Sequence, residues 1–209
     1  MSIKNIKVNR ISFYTMILIL GCTAGACNRS MKPAEYKSWI ESSESGLNKS
    51  KKIGQLEYKI QYVTREYAMI LNLGPRGFSP SLNINESLEN YSEDMQVIFS
   101  IKNLNGVSPL KYKLKDEMEY YARIQYLNSD VVKDFYLIKE NGDTVECSFV
   151  HAERDFGIGP ELNLTLAFQE QNPDYDFQLC YNDRIYNNGM VKFTMRKENL
   201  LDLPELSNN

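Results

Sequence analysis

The sequence predicts an α+β fold, mostly β: an antiparallel, two-layer, sandwich-like domain carrying two or three short helices. Three observations lead there. Seven segments read as strands, several of them with clean apolar–polar alternation. The later strands follow one another at hairpin spacing, with Asn141-Gly142, an Asn-Pro-Asp and an Asn-Asn-Gly between them. Helical periodicity is confined to a few places and does not alternate with the strands, which argues against a doubly wound parallel sheet. The composition agrees. At 43 % hydrophobic and 24 % charged residues the chain is globular rather than disordered.

Residues 1–26 read as a secretory signal. MSIKNIKVNR carries Lys4, Lys7 and Arg10 and no acid, and ISFYTMILIL follows as an uncharged, mostly apolar stretch. That stretch is too short to span a bilayer as a helix. Small residues then end in cysteine twice, at Ile19-Leu20-Gly21-Cys22 and at Ala24-Gly25-Ala26-Cys27. Both resemble the lipobox of bacterial lipoproteins, a family in which the chain is cut before the cysteine and the cysteine is acylated. Ile19 favours Cys22 as the attachment point. Counting cysteines favours Cys27, because cutting there discards Cys22 and leaves no loose thiol beside the anchor. Lipid attachment at Cys27 is therefore the preferred expectation, with Cys22 the alternative. Asn28 follows Cys27, and the resemblance to Gram-negative lipoproteins implies the outer membrane. Losing Lys4, Lys7 and Arg10 takes the net charge from −3 to −6. An acidic body on an anionic surface is expected to stand off it. Neither charge state suits nucleic acid, which calls for a basic patch.

The body is expected to be a single strand-rich domain, residues 33–203, between a polar tether at 27–32 and a tail at 204–209. Pro33 suits a first helical position, and Tyr36, Trp39 and Ile40 form the stripe that docks the helix. GLNKSKKIG reads as a basic loop. In QLEYKIQYV, Leu56, Tyr58, Ile60 and Tyr62 share the inward face. Thr64 can cap a helix over REYAMILNL that Gly74-Pro75 stops. Residues 74–94 form a long loop, with a helical turn near ESLENY; loops of that length are often functional. MQVIFSIKN is a strand with Met95, Val97, Phe99 and Ile101 inward. DEMEYYARIQYL places Tyr120, Tyr121, Ile124 and Leu127 on one helical face. A hairpin around Asn141-Gly142 and strands at 162–169, 176–182 and 190–196 complete the domain. Cys147 should point inward with Val145 and Phe149, and Cys180 lies opposite Phe177 and Leu179. The two meet in a disulfide only if their strands face across layers, and otherwise stay free thiols.

HAERDFGIGPE, residues 151–161, is the one stretch that looks like chemistry. It compresses kinase-like fragments into a single turn, and no glycine-rich loop or suitably placed lysine accompanies them. His151, Glu153 and Asp155 form a weak candidate cluster for metal or acid–base work. Zinc sites want more imidazole or thiolate, and with one histidine there is no HExxH. A calcium site of oxygen ligands stays open, with Asp174, Asp176 and Asp183 as loose candidates whose spacing is not that of an EF-hand loop. No serine is marked as a nucleophile. The plainer reading ends a strand near Val150, turns at Gly157, Gly159 and Pro160, and plugs the core's end with Phe156 and Ile158.

The signal, the stretch from Pro33 to Trp39 and the NGDTVECSFVHAERDFGIGP segment together resemble small, uncharacterised lipoproteins of Bacteroidota-type bacteria. The resemblance implies an address and no activity. The functional expectation is a lipid-anchored, non-catalytic binding or assembly module, with no cofactor, whose partners are the membrane and an envelope protein or glycan. The alternative is a secreted hydrolase or metal-dependent enzyme using His151, Glu153 and Asp155.

Overall fold

The computed structural model describes residues 29–79, 81–153, 158–171 and 173–207. Eight strands build one antiparallel sheet: β2 (Asn48–Ile53), β3 (Leu56–Val63), β4 (Asp94–Asn103), β5 (Phe135–Lys139), β6 (Thr144–Ala152), β7 (Glu161–Gln171), β8 (Phe177–Asp183) and β9 (Gly189–Met195). Their order across the sheet is β2-β3-β4-β7-β6-β5-β8-β9. The strand β6 makes the corner. Its residues 144–146 pair with β5, and its residues 147–152 pair with β7. Between them the register shifts by one residue, a bulge of the kind that bends a strand. The sheet curls until its two ends approach, where the Lys51 ammonium of β2 reaches the Lys192 carbonyl of β9 at 3.2 Å. The result lies between a two-layer sandwich and a barrel.

Alternation explains the interior. Tyr58 of β3, Phe99 of β4 and Leu164 and Leu166 of β7 are sealed from solvent, as are Leu179 and Tyr181 of β8. Phe99 meets the other half of the sheet, with ring centroids 5.0 Å from Phe135, 4.9 Å from Tyr181 and 6.4 Å from Phe193. Each such ring contributes about 1.5–3 kcal/mol by leaving water. Period two also carries Asp183 inward, two positions beyond Tyr181. It is 2 % exposed and accepts hydrogen bonds from the Tyr58 hydroxyl (2.7 Å), the Tyr186 N–H (3.1 Å) and the Asn188 N–H (3.4 Å). Burial first, and then the Asp183 carboxylate, hold the Tyr58 and Tyr181 phenols well above their ordinary range.

Five helices flank the sheet among the described residues: α1 (Pro33–Glu41), α2 (Arg65–Gly77), α3 (Ile84–Leu88), α4 (Glu117–Ser129) and α5 (Lys197–Leu201). Only α1, α2 and α4 reach nine residues. Helix α1 docks through Tyr36 and Ile40, both fully buried, with Trp39 half-buried beside them. Thr64 caps α2, its hydroxyl accepting the Tyr67 N–H at 3.1 Å. Gly74 breaks that helix at φ +62°, a conformation a side chain would resist.

Several expectations change. The stretch read as a basic loop is the edge strand β2, which needs no apolar alternation because its backbone pairs with β3. The expected tether and tail contain two further short strands, β1 (Ser30–Met31) and β10 (Glu205–Leu206). They pair in parallel, tied by Glu205 N–H to Arg29 carbonyl and Ser207 N–H to Met31 carbonyl, both 2.9 Å. Phe149 points outward, 56 % exposed, because the bulge after Cys147 reverses the facing. On α4, Tyr121 is 60 % exposed, and Arg123 takes the buried position one turn before Leu127. Its guanidinium donates to the carbonyls of Leu110 (3.2 Å) and Tyr112 (2.7 Å) and to the Glu119 carboxylate (2.8 Å). A charge paired with Glu119 and two carbonyls can be buried there where an unpaired one could not, and only its Nε is left without a hydrogen-bond partner. Cys147 and Cys180 are both buried free thiols.

Candidate functional site

The loop at 74–94 and the turn at 151–161 were the two stretches with a functional look. The first borders a cleft. Where β3 runs into α2, a cavity of about 430 Å³ opens between the start of that helix, the Tyr91–Asp94 run ahead of β4, and α5 with the residues after it. That volume lies within the range of small-ligand sites. No described residue of 151–161 lines it.

One wall is polar. Thr64 sits at its base, where its hydroxyl meets both the Tyr67 N–H and the Tyr36 hydroxyl, each at 3.1 Å. Arg65 bonds the Leu88 carbonyl and faces Glu93 at 3.6 Å, so it ties α2 to the end of α3. The Arg65 Nε is buried without a hydrogen-bond partner. Glu66, Asp94 and Gln96 add two carboxylates and an amide. Tyr62 also lines it, and burial, followed by the charges of Glu66 and Tyr175, pushes its phenol up to about 12. The other wall is apolar, built from Leu200, Leu201 and Leu203 with Pro173 below. Asp176 holds that wall in place, its carboxylate accepting the Lys197 N–H at 2.9 Å at the start of α5.

No protein-family model matches the chain. No curated protein matches it. Among solved structures, a Burkholderia pseudomallei protein described as novel and of unknown function aligns at a TM-score of 0.37 with 11 % identity, covering 83 % of this chain and 93 % of its own. A likeness that loose carries nothing about function.

The residues singled out from sequence scatter. His151 lies on the exposed side of β6, opposite Thr165 of β7. The strand runs past Val150 to Ala152, and the Glu153 N–H extends the ladder to the Asn163 carbonyl at 2.9 Å. The Glu153 carboxylate accepts from the Asn163 side-chain amide at 3.0 Å, and Asn163 in turn accepts from the Ser100 hydroxyl at 2.7 Å. Glu153 is thus one end of a cross-strand polar row. Asp155 and Phe156 lie outside the described residues, as do Cys22 and Cys27. Ile158, expected as a plug, is 80 % exposed. The three aspartates considered for calcium are apart in role: Asp174 is exposed, Asp176 caps α5 and Asp183 is in the core. Among the described residues no group of three His, Cys, Asp or Glu side chains is placed to hold a metal.

The cleft residues Arg65, Glu66, Glu93 and Leu200–203 carried no sequence signal of their own. The acids look like any solvated acids. The leucines sit in a segment whose short apolar run reads as a fraying end.

Proposed function

We propose that the chain is an outer-membrane lipoprotein anchored at Cys27, whose body is a non-catalytic binding or assembly module with the cleft at the start of α2 as its ligand site. The observation that carries the binding half is the two-faced lining. Three leucines and a proline oppose carboxylates, two amides and one guanidinium, across a space that fits a small ligand. Such a lining recognises a ligand with one apolar face and several hydroxyl or amide groups, as envelope glycans and peptides have. Its described residues include no histidine, cysteine or lysine, and no hydroxyl among them is paired with a base in the manner of an activated nucleophile. The anchor half is supported by the basic, apolar and Gly/Ala–Cys order of residues 1–27.

The binding half is tested by titrating peptidoglycan and envelope-polysaccharide fragments onto the full mature protein. Binding that weakens at least about tenfold in Gln96→Ala or Leu201→Asp and is unchanged in His151→Ala supports the cleft, a loss of about 1.4 kcal/mol. Binding that depends on His151 and ignores the cleft variants overturns it in favour of the hydrolase or metal-enzyme reading.

A further inference from the structure

We infer that the groove between α1 and α2 is a membrane-docking face, and that the body lies against the lipid headgroups. This rests on the lipid-anchor reading with Cys27 as the acylated residue. The carrying observation is the β1–β10 pairing. A six-residue polar tether would let the body stand away from the membrane. Instead Ser30 and Met31 are fixed to Glu205 and Leu206, with Met31 buried. Only three Cα–Cα steps separate Cys27 from Ser30, which is at most about 11 Å of chain. The headgroup layer on one side of a bilayer is itself about 5–8 Å thick. An acylated Cys27 therefore brings β1 to the outer surface of that layer. Whatever repulsion the net charge of −6 meets, a tether of that length keeps the body within about one Debye length of the surface.

The elements that follow β1 suit this position. Lys32, Pro33, Ala34 and Lys37 from the start of α1 face Leu71 and Phe78 across a groove of about 680 Å³. Leu71 is 45 % exposed, and Ile70 and Phe78 line the groove beside it. Apolar side chains flanked by lysines are the composition of an interfacial surface. The local charge also runs against the average. Among the residues lining the groove, Lys32 and Lys37 oppose Glu41, a net single positive charge, while the whole body is acidic. Anionic headgroups attract such an end within a Debye length.

The test uses the lipidated protein in phosphatidylethanolamine–phosphatidylglycerol vesicles, with and without bromine on the acyl chains. Single-tryptophan reporters are placed at Leu71→Trp, with Phe78→Trp as a second reporter, in a Trp39→Phe background. Leu104→Trp is the control. Leu104 follows Asn103, which pairs with Leu56 at the end of β3 remote from α2. Intact mass of the same sample reports the acyl addition at Cys27. With that mass present, emission at 71 or 78 falling about twofold in brominated vesicles, and unchanged at 104, supports docking. With that mass present and no quenching at either reporter, the docking face is wrong and the anchor stands. An unacylated mass overturns both. A dimer in detergent that Leu71→Glu dissociates assigns the face to a second copy of the chain and also overturns docking.

Discussion

Asp183→Asn changes one atom in the buried network at the end of β8, and its cost follows from the hydrogen bonds already there. One carboxylate oxygen accepts from the Tyr58 hydroxyl and the Asn188 N–H. The other accepts from the Tyr186 N–H and, at 3.5 Å, the Tyr181 hydroxyl. An amide NH2 must replace one of these oxygens. A hydroxyl can rotate away, but a backbone N–H cannot, so either orientation leaves a buried N–H facing a donor. Tyr58 has little freedom either, because its oxygen already accepts the Asn188 side-chain amide at 2.7 Å. An orphaned buried donor costs about 1–3 kcal/mol, and the lost charge-assisted bonds bring the total to roughly 2–4 kcal/mol. Urea unfolding of the mature protein should show the midpoint falling with an unchanged slope. The melting temperature should drop by about 5–12 °C. A destabilisation under about 0.5 kcal/mol would refute the claim that this network is closed and fully used.

Other outcomes follow from other contacts in the fold. Arg123→Met should cost about 2–4 kcal/mol in the same urea assay, because the Leu110 and Tyr112 carbonyls lose a charged donor and the packing on Tyr186, 5.3 Å away, is altered. His151→Ala, on an exposed strand position, should stay within about 0.5 kcal/mol of the parent. Burial raises the Cys147 thiol from 9.0 to about 11. A raised thiol pKa gives stability that is full below the unfolded value and is lost as pH climbs through the folded one. Stability should therefore decline between pH 9 and 11, and Cys147→Val should flatten part of that decline. Native Cys147 should alkylate slowly at pH 8 and rapidly in urea, and masses with and without reductant should agree if both thiols are free.

The parts of the fold that were legible in sequence are those where one face is buried. In β3, β4 and β7 every second residue is apolar because only one side meets the core, and period two reports that directly. The same period places Asp183 inward, although an acid there reads as surface until its partners are known. Edge and corner positions hide for physical reasons. Strand β2 carries lysines because an edge with charges resists pairing with other chains, and those lysines erase the alternation. The bulge in β6 flips Phe149 without any marker residue. β1 and β10 are two residues each, too short for a period. Arg123 lies outside the apolar stripe of α4 in sequence, and the Glu119 carboxylate and the carbonyls of the 109–112 turn make it an inside residue. The cleft was half visible. The 74–94 loop announced itself by length, while its opposing wall came from a segment that looked like an unravelling terminus.

The central claim is an acylated Cys27 leading directly into a folded body. Mass analysis of the N-terminal peptide from protein extracted from membranes tests it most directly. The lipid-anchor reading predicts a peptide beginning at Cys27 with a diacylglyceryl group on sulfur and a further acyl chain on the amino group. A membrane-extracted chain whose N-terminal peptide carries no lipid would contradict it.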